Sequence, residues 1–314
     1  MRLLSGPPRA HGRTGEVIER GDGQPAWPPQ GGTRWSDVGP DHATTPDGLR
    51  LRTREWPAKG AARARILLVH GIAEHSGRYA RTASLLAMTG FDVAAFDLRG
   101  FGESGGRRAY VDRWDDYLDD VEGRLAALRD GLPVVLMGHS MGALIALTHA
   151  LDDRPAPDLL VLNAPALSTG TPAHLRLVAP LLSRVTPRLR IATPLRAEQI
   201  SSDSNTQRAY LADPLLVPFT TARLGAELLA AGTRAQARIH ALRVPTLVTH
   251  GSADTLVPTA CTEPLGAIAC VERRVYPGLR HETLNEPQGP QIVAGIAAWI
   301  GGHLARQEDA DPRT

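Results

Sequence analysis

The chain has 314 residues, a formal net charge of +2 and an apolar share of 42%. That length can bury a large core, and the small net charge excludes a strong electrostatic pull toward nucleic acid. Two cysteines, Cys261 and Cys270, exclude a disulfide scaffold and a zinc pattern and read as free thiols.

Residues 1–45 are rich in Gly, Pro, Arg and polar residues and lack apolar periodicity, as in "GDGQPAWPPQGG" (Gly21 to Gly32). They read as a disordered tail ahead of a domain over 46–314. Met1-Arg2-Leu3-Leu4 runs straight into Ser5-Gly6-Pro7-Pro8, which does not read as a signal peptide. No run of about 18 apolar residues is present. The expectation is a soluble cytoplasmic protein.

From Asp47 a rhythm begins. "LRLRTREW" (Leu49 to Trp56) alternates as an antiparallel strand does. "ARILLVHG" (Ala64 to Gly71) is a short buried strand ending in a turn, and "RYARTASLLAMTG" is a helix stopped by Gly90. "FDVAAFDLRG" is the next buried strand. "WDDYLDDVEGRLAALRDG" puts Trp114, Tyr117, Leu118, Val121, Leu125 and Leu128 on one helical face. Strand "PVVLMGH", helix "SMGALIALTHALDD" and strand "DLLVLNAPAL" follow. The alternation is then lost over 168–238, and it resumes with strand "VPTLVTHG", helix "PTACTEPLGAIA", strand "ERRVYPG" and a last helix, "PQIVAGIAAWIGGHLAR".

Short apolar strands alternating with helices predict a mostly parallel central sheet covered by helices on both faces, an α/β fold. The segment 168–238 reads as a helical cap inserted over the strand ends, where open α/β sheets bind ligands. Within it, "PAHLRLVAPLLSRVTPRLRI" carries Leu175, Leu177, Val178, Leu181, Leu182, Val185 and Leu189 on a broad apolar face, with Pro180 as a kink. The face fits either a lid touching membrane or lipid aggregates or, preferred, a cap helix packed on the sheet domain. Both readings put a greasy tunnel above Ser140.

Two serines sit in a G-x-S-x-G pattern, Ser104 in "GESGG" and Ser140 in "GHSMG". A nucleophile elbow needs a strand, a tight turn and then a helix. Ser140 has Val134 to Met137 before it and Met141 to Leu147 after it, whereas Ser104 is followed by Gly105-Gly106-Arg107-Arg108, a loop. A serine hydroxyl needs a base, and the base an orienting acid. Downstream, just past strands, stand Asp254 in "VTHGSAD" and His281 in "VYPGLRHE", in the order this architecture uses. Glu282 and Glu263 are fallback acids. The backbone N–H groups of Ile72 and Met141 are the expected oxyanion donors. No metal or cofactor is called for.

"HGIAEHSGRY" (His70 to Tyr79), "FDLRGFGESGG" (Phe96 to Gly106), "GHSMGA" (Gly138 to Ala143), "LADPLL" (Leu211 to Leu216), "HGSADTLVP" (His250 to Pro258) and "YPGLRHETLNEP" (Tyr276 to Pro287) resemble the monoacylglycerol lipase and lysophospholipase group of α/β-hydrolases. The resemblance covers Asp47 to the last helix. It implies an α/β-hydrolase fold, a Ser-His-Asp serine hydrolase, and a small-molecule acyl ester or lipid as substrate. It also implies a polar head-group pocket at Glu74, Arg78, His139 and Tyr210; alternatively Glu74 and Arg78 pair only to hold their loop. Many members carry Gly where this chain has Ile72, and G-H-S-M-G-G where it has Ala143. The branched Ile72 side chain is expected to narrow the acyl entrance. Monoacylglycerol hydrolysis is the leading expectation. The alternatives are a lysophospholipase, short-chain carboxylesterase, thioesterase or acyltransferase on the same triad, a proline-releasing peptidase, and a non-catalytic binding protein.

Overall fold

A computed structural model of the chain describes residues 42–310 apart from positions 169 and 194. The tail expected over 1–45 therefore lies outside the described residues, save its last four. Three of those four form a strand, β1 (His42–Thr44), paired antiparallel with β2 (Arg50–Trp56). The parallel part of the sheet is built from β3 (Ala64–Val69), β4 (Phe91–Phe96), β5 (Val134–His139) and β6 (Leu159–Asn163). A two-stranded ribbon, β7 (Arg190–Ala192) with β8 (Phe219–Thr221), lies in the segment that follows. Strands β9 (Thr246–Gly251) and β10 (Val271–Tyr276) complete the sheet. Its order is β1-β2-β4-β3-β5-β6-β9-β10, antiparallel at β1/β2 and β2/β4 and parallel elsewhere.

The parallel strands read as near-continuous apolar runs because both sheet faces are covered. Successive side chains point to opposite faces, so β3 divides cleanly. Ile66 and Leu68 join one core with Tyr79, Leu86, Ile292, Ile296 and Ile300, which come from α1 (Ala80–Met88), the turn before it, and the C-terminal helix. Leu67 and Val69 join the other with Tyr117, Val121, Leu125, Leu144 and Leu147, from α2 (Asp115–Leu128) and α3 (Met141–Ala150). Each such fully buried side chain contributes about 1.5–3 kcal/mol. The apolar face expected for α2 is the buried one.

The segment inserted between β6 and β9 holds α4 (Ala173–Val185), α5 (Ala197–Ile200), α6 (Ser204–Ala212) and α7 (Ala222–Arg238). Helix α4 packs along α7, yet Leu177 is 82% exposed and Leu181, Val185 and Leu189 are exposed with it. The broad apolar face is thus shared: Leu175, Ala179 and Leu182 line a cavity, and the rest turns outward instead of packing on the sheet domain. The single helix expected over "PTACTEPLGAIA" is instead two 3-10 turns, Thr259–Thr262 and Pro264–Ala267. Pro264 lacks the N–H that would continue a helix and opens the second turn. The last helix, α8, runs Gly289–Ala310.

Candidate active site

At the carboxyl end of β5 the chain turns through Ser140 into α3. Ser140 has φ 52° and ψ −115°, a conformation that costs a non-glycine residue about 1–3 kcal/mol. The surroundings over-determine it. Its N–H donates to Asn163 O at 2.9 Å, and its carbonyl accepts from Leu144 N and Ala166 N, both at 3.1 Å. The flanking glycines allow close approach: a Cβ on Gly138 would lie 2.4 Å from Gly142 O, and one on Gly142 would lie 2.2 Å from Val69 O. Helix α3 can therefore start directly against the end of β3.

Met141 is the first residue of α3, so its N–H is one of the amides that have no partner inside the helix. Ile72 lies in the loop after β3, between two anchored neighbours. Gly71 N donates to Glu74 Oε1 at 2.6 Å, and Ala73, with φ 68°, has its carbonyl held by Val217 N at 3.0 Å. The Ile72 side chain leans on the apolar core. Ile72, Met141, Ser140 and His281 all line one cavity of about 600 Å³.

His281 stands in the loop after β10, and Asp254 in the loop after β9. Nδ1 of His281 lies 2.6 Å from Asp254 Oδ2. Asp254 is also held by Leu256 N at 2.8 Å and Val257 N at 2.9 Å, both on Oδ1, and by His250 Nε2 at 3.0 Å from Oδ2. Burial raises the Asp254 pKa, but the hydrogen bonds from His250 and His281 and the His281 charge outweigh it and hold the carboxyl well below the usual range. Burial likewise lowers the His281 pKa, while Asp254, then Glu282 and Glu74, raise it to a net value above the ordinary one. An ionised acid thus faces an imidazole of enhanced basicity.

Of the four residues expected for a head-group pocket, Glu74, His139 and Tyr210 line the cavity. Arg78 is turned away from it. Its Nε bonds Glu74 Oε2 at 3.0 Å, its NH2 bonds both Glu282 oxygens at 2.8 and 2.7 Å, and its guanidinium carbon lies 5.0 Å from the Tyr210 ring centre. Glu74 also takes the Tyr79 hydroxyl at 2.7 Å. Glu74 and Arg78 do pair to hold their loop, and Glu74 faces the cavity as well. His139 Nδ1 is 2.7 Å from Asn163 Oδ1 and its ring is 4.7 Å from that of His281. Burial, then the His281 charge, lowers its pKa and keeps it neutral.

The two other carboxylates weighed as acids are elsewhere engaged or elsewhere placed. Glu282 holds Arg78 and Asn285 Nδ2, and Glu263 stands at the start of a 3-10 turn, outside the residues that line the cavity. Ser104 Oγ donates to Asp97 O and accepts from Arg52 N at 2.9 Å, so it locks a turn. His250, Asn163 and the cavity role of Glu282 were not foreseen from sequence. For His250 a signal existed, since it stands four residues before Asp254 at the end of β9.

The family described as serine aminopeptidase, S33, matches residues 60–288. The monoacylglycerol lipase of Mycolicibacterium smegmatis is 33% identical over 82% of this chain and 95% of its own length. The monoglyceride lipase of Homo sapiens is 34% identical over 86% and 93%. Among solved structures, the Paleococcus ferrophilus monoacylglycerol lipase superposes with a TM-score of 0.75 at 27% identity, over 81% of this chain and 99% of that one.

Proposed function

The chain belongs to the serine aminopeptidase S33 family of α/β-hydrolases, and from that membership we propose that it is a carboxylic ester hydrolase whose substrate is a monoacylglycerol. In this reading Ser140, His281 and Asp254 form the triad. Nε2 of His281 takes the proton of Ser140 Oγ as that oxygen attacks the ester carbonyl. The carbonyl oxygen gains its negative charge between the amides of Ile72 and Met141. The C–O bond breaks, and the alcohol leaves with the proton from His281. Water, deprotonated by the same imidazole, then releases the fatty acid and frees Ser140.

The observation that carries the reading is convergence. A strained serine, a histidine paired with Asp254 and an anchored amide loop meet on one cavity whose lining is largely apolar, with Leu175, Leu182, Ile191, Leu228, Leu229 and Val257 among it. Such walls suit an acyl chain. The lipase relatives support an ester over a peptide as substrate. No helix among the described residues is long and apolar enough to cross a membrane. The reading is completed by a cytoplasmic enzyme that reaches its lipid by transient contact of the outward leucines of α4 with a membrane or lipid aggregate.

The test is fatty-acid release from matched mono-, di- and triacylglycerols and a lysophospholipid, with Ser140→Ala as the blank. Strong preference for monoacylglycerol is expected. Faster turnover of a prolyl-naphthylamide would move the activity to peptides, and turnover confined to short soluble esters would remove the lipid assignment.

A further inference from the structure

The polar end of the cavity carries an uneven charge. Glu74 and Glu282 both line it, and Arg78, which neutralises one of them, does not. One guanidinium serves two carboxylates from behind, with Nε on Glu74 and NH2 on Glu282, and its side chain is 9% exposed. Arg78 is held firmly in its charged form, because burial is outweighed by Glu282 and Glu74. Glu74 is held ionised in turn: burial is outweighed chiefly by the Arg78 charge, with the Tyr79 hydroxyl donating to it as well. His139, the ring beside them, stays neutral for the reasons given above. Two carboxylates against one guanidinium leave a formal charge of −1 where the leaving alcohol would sit, and the two carboxylate residues, not the arginine, are the ones that line the cavity.

The hydrogen-bonding capacity left over suits a hydroxyl. Glu282 Oε1 takes one bond, from Arg78, and keeps room for another donor. The Tyr210 hydroxyl has no partner among the described residues, and burial, partly offset by Arg78, pushes its pKa up to about 12, so it remains a neutral donor and acceptor. A phosphate placed here would face two carboxylates in a buried site of low effective dielectric, with the arginine on their far side. The arginines of the cap do not alter this, since Arg176, Arg184, Arg188 and Arg190 are exposed on its outside.

We propose that Glu282, together with Glu74 and with Arg78 turned away from the cavity, makes the head-group end a site for uncharged, hydroxyl-bearing alcohols and excludes phosphate-bearing ones. Glu282 is the specificity-determining residue. This deepens the ester-hydrolase reading above and rests on it. It separates glycerol esters from lysophospholipids of the same acyl chain by charge and not by size.

The experiment compares acylglycerols with the matching acylglycerol 3-phosphates, each as the butyryl and the palmitoyl ester, in the same neutral detergent. For the unmutated enzyme kcat/KM should favour the neutral head by about a hundredfold at whichever chain length is hydrolysed. Glu282→Gln should shrink that ratio at least about tenfold, with fluorophosphonate labelling of Ser140 as the measure of an intact site. A ratio near one in the unmutated enzyme overturns the proposal, and needs no variant to fold. A large ratio that Glu282→Gln leaves unchanged overturns the assignment to Glu282. Loss of palmitoyl but not butyryl turnover sinks the lipase reading alone, because the charge ratio is still read on the butyryl pair.

Discussion

His250 and His281 approach the same carboxylate oxygen: their ring nitrogens lie 3.0 and 2.6 Å from Asp254 Oδ2. One ring comes from the end of β9 and the other from the loop after β10. Because His250 is fully buried and also within 3.1 Å of Val257 O, it fixes the carboxylate plane and leaves His281 the remaining direction. The carboxylate is therefore oriented by contacts independent of His281.

The pH profile should report this pair. His281 must be neutral to act as base, and its folded pKa is raised, so the acid limb of kcat/KM should have its midpoint above the ordinary histidine value of about 6.5. The stabilisation from the ion pair is present below the unfolded pKa and is lost as pH rises through the folded one. Asp254→Asn should move the limb to lower pH and reduce kcat on the order of 10³–10⁴-fold. A limb that stays in place would remove Asp254 as the orienting acid.

The two serine motifs should separate by what each loses. Ser140→Ala should abolish at least about 99.9% of turnover while melting near the unmutated temperature. Ser104→Ala should keep its activity and lose about 1–2 kcal/mol of stability, because Arg52 N gives up one acceptor. Kinetics paired with thermal melts distinguish the two, and the reverse pattern would exchange their roles.

Acid should weaken the fold through a residue remote from the chemistry. His149 is fully buried in α3, and neither ring nitrogen has a hydrogen-bond partner among the described residues. Burial lowers its pKa to about 4, with Glu122 and Asp152 pulling up and Arg154 and Arg129 down. A histidine kept neutral in the fold contributes full stability above its unfolded pKa and loses it as pH falls toward the folded value, here about 3 kcal/mol between roughly pH 6.5 and 4. Urea melts across that window should show the loss, and His149→Leu should flatten it.

The outward leucines give a binding prediction. Leu177→Glu with Leu181→Glu should reduce sedimentation with neutral lipid vesicles at least about fivefold and spare turnover of a soluble butyryl ester. Equal vesicle binding by the variant would mean that this face does not meet lipid.

Much of the architecture was readable because it is local. Runs such as "ARILLV" and "PVVLM" announce two-faced burial, and a serine between a strand and a helix announces its own turn. The order of Ser140, Asp254 and His281 could be read because each closely follows a strand. What escaped depends on distance along the chain. Arg78 and Glu282 are separated by 204 positions, and no periodicity links them, so Glu282 looked like a spare acid. Helix α4 misled for a different reason: a broad apolar face says that the helix meets apolar surroundings, and not how much of that face packs on the protein. The short strands β1, β7 and β8 fall below the length at which alternation can be seen.

The order in which the sheet is filled has a consequence during synthesis. Outward from β5, the strands β6, β9 and β10 are added in the order the ribosome delivers them. Ser140 and its amide loop are complete while the base is still untranslated. The 141 positions from Ser140 to His281 take on the order of ten seconds to make. Over the later part of that interval, once Asn163, Ala166 and Val217 have been made, the nascent chain carries an anchored elbow without the His281 imidazole. In the proposed mechanism acyl transfer begins only when the loop after the last strand docks, so the emerging polypeptide would be chemically silent until the molecule that uses the reaction is whole.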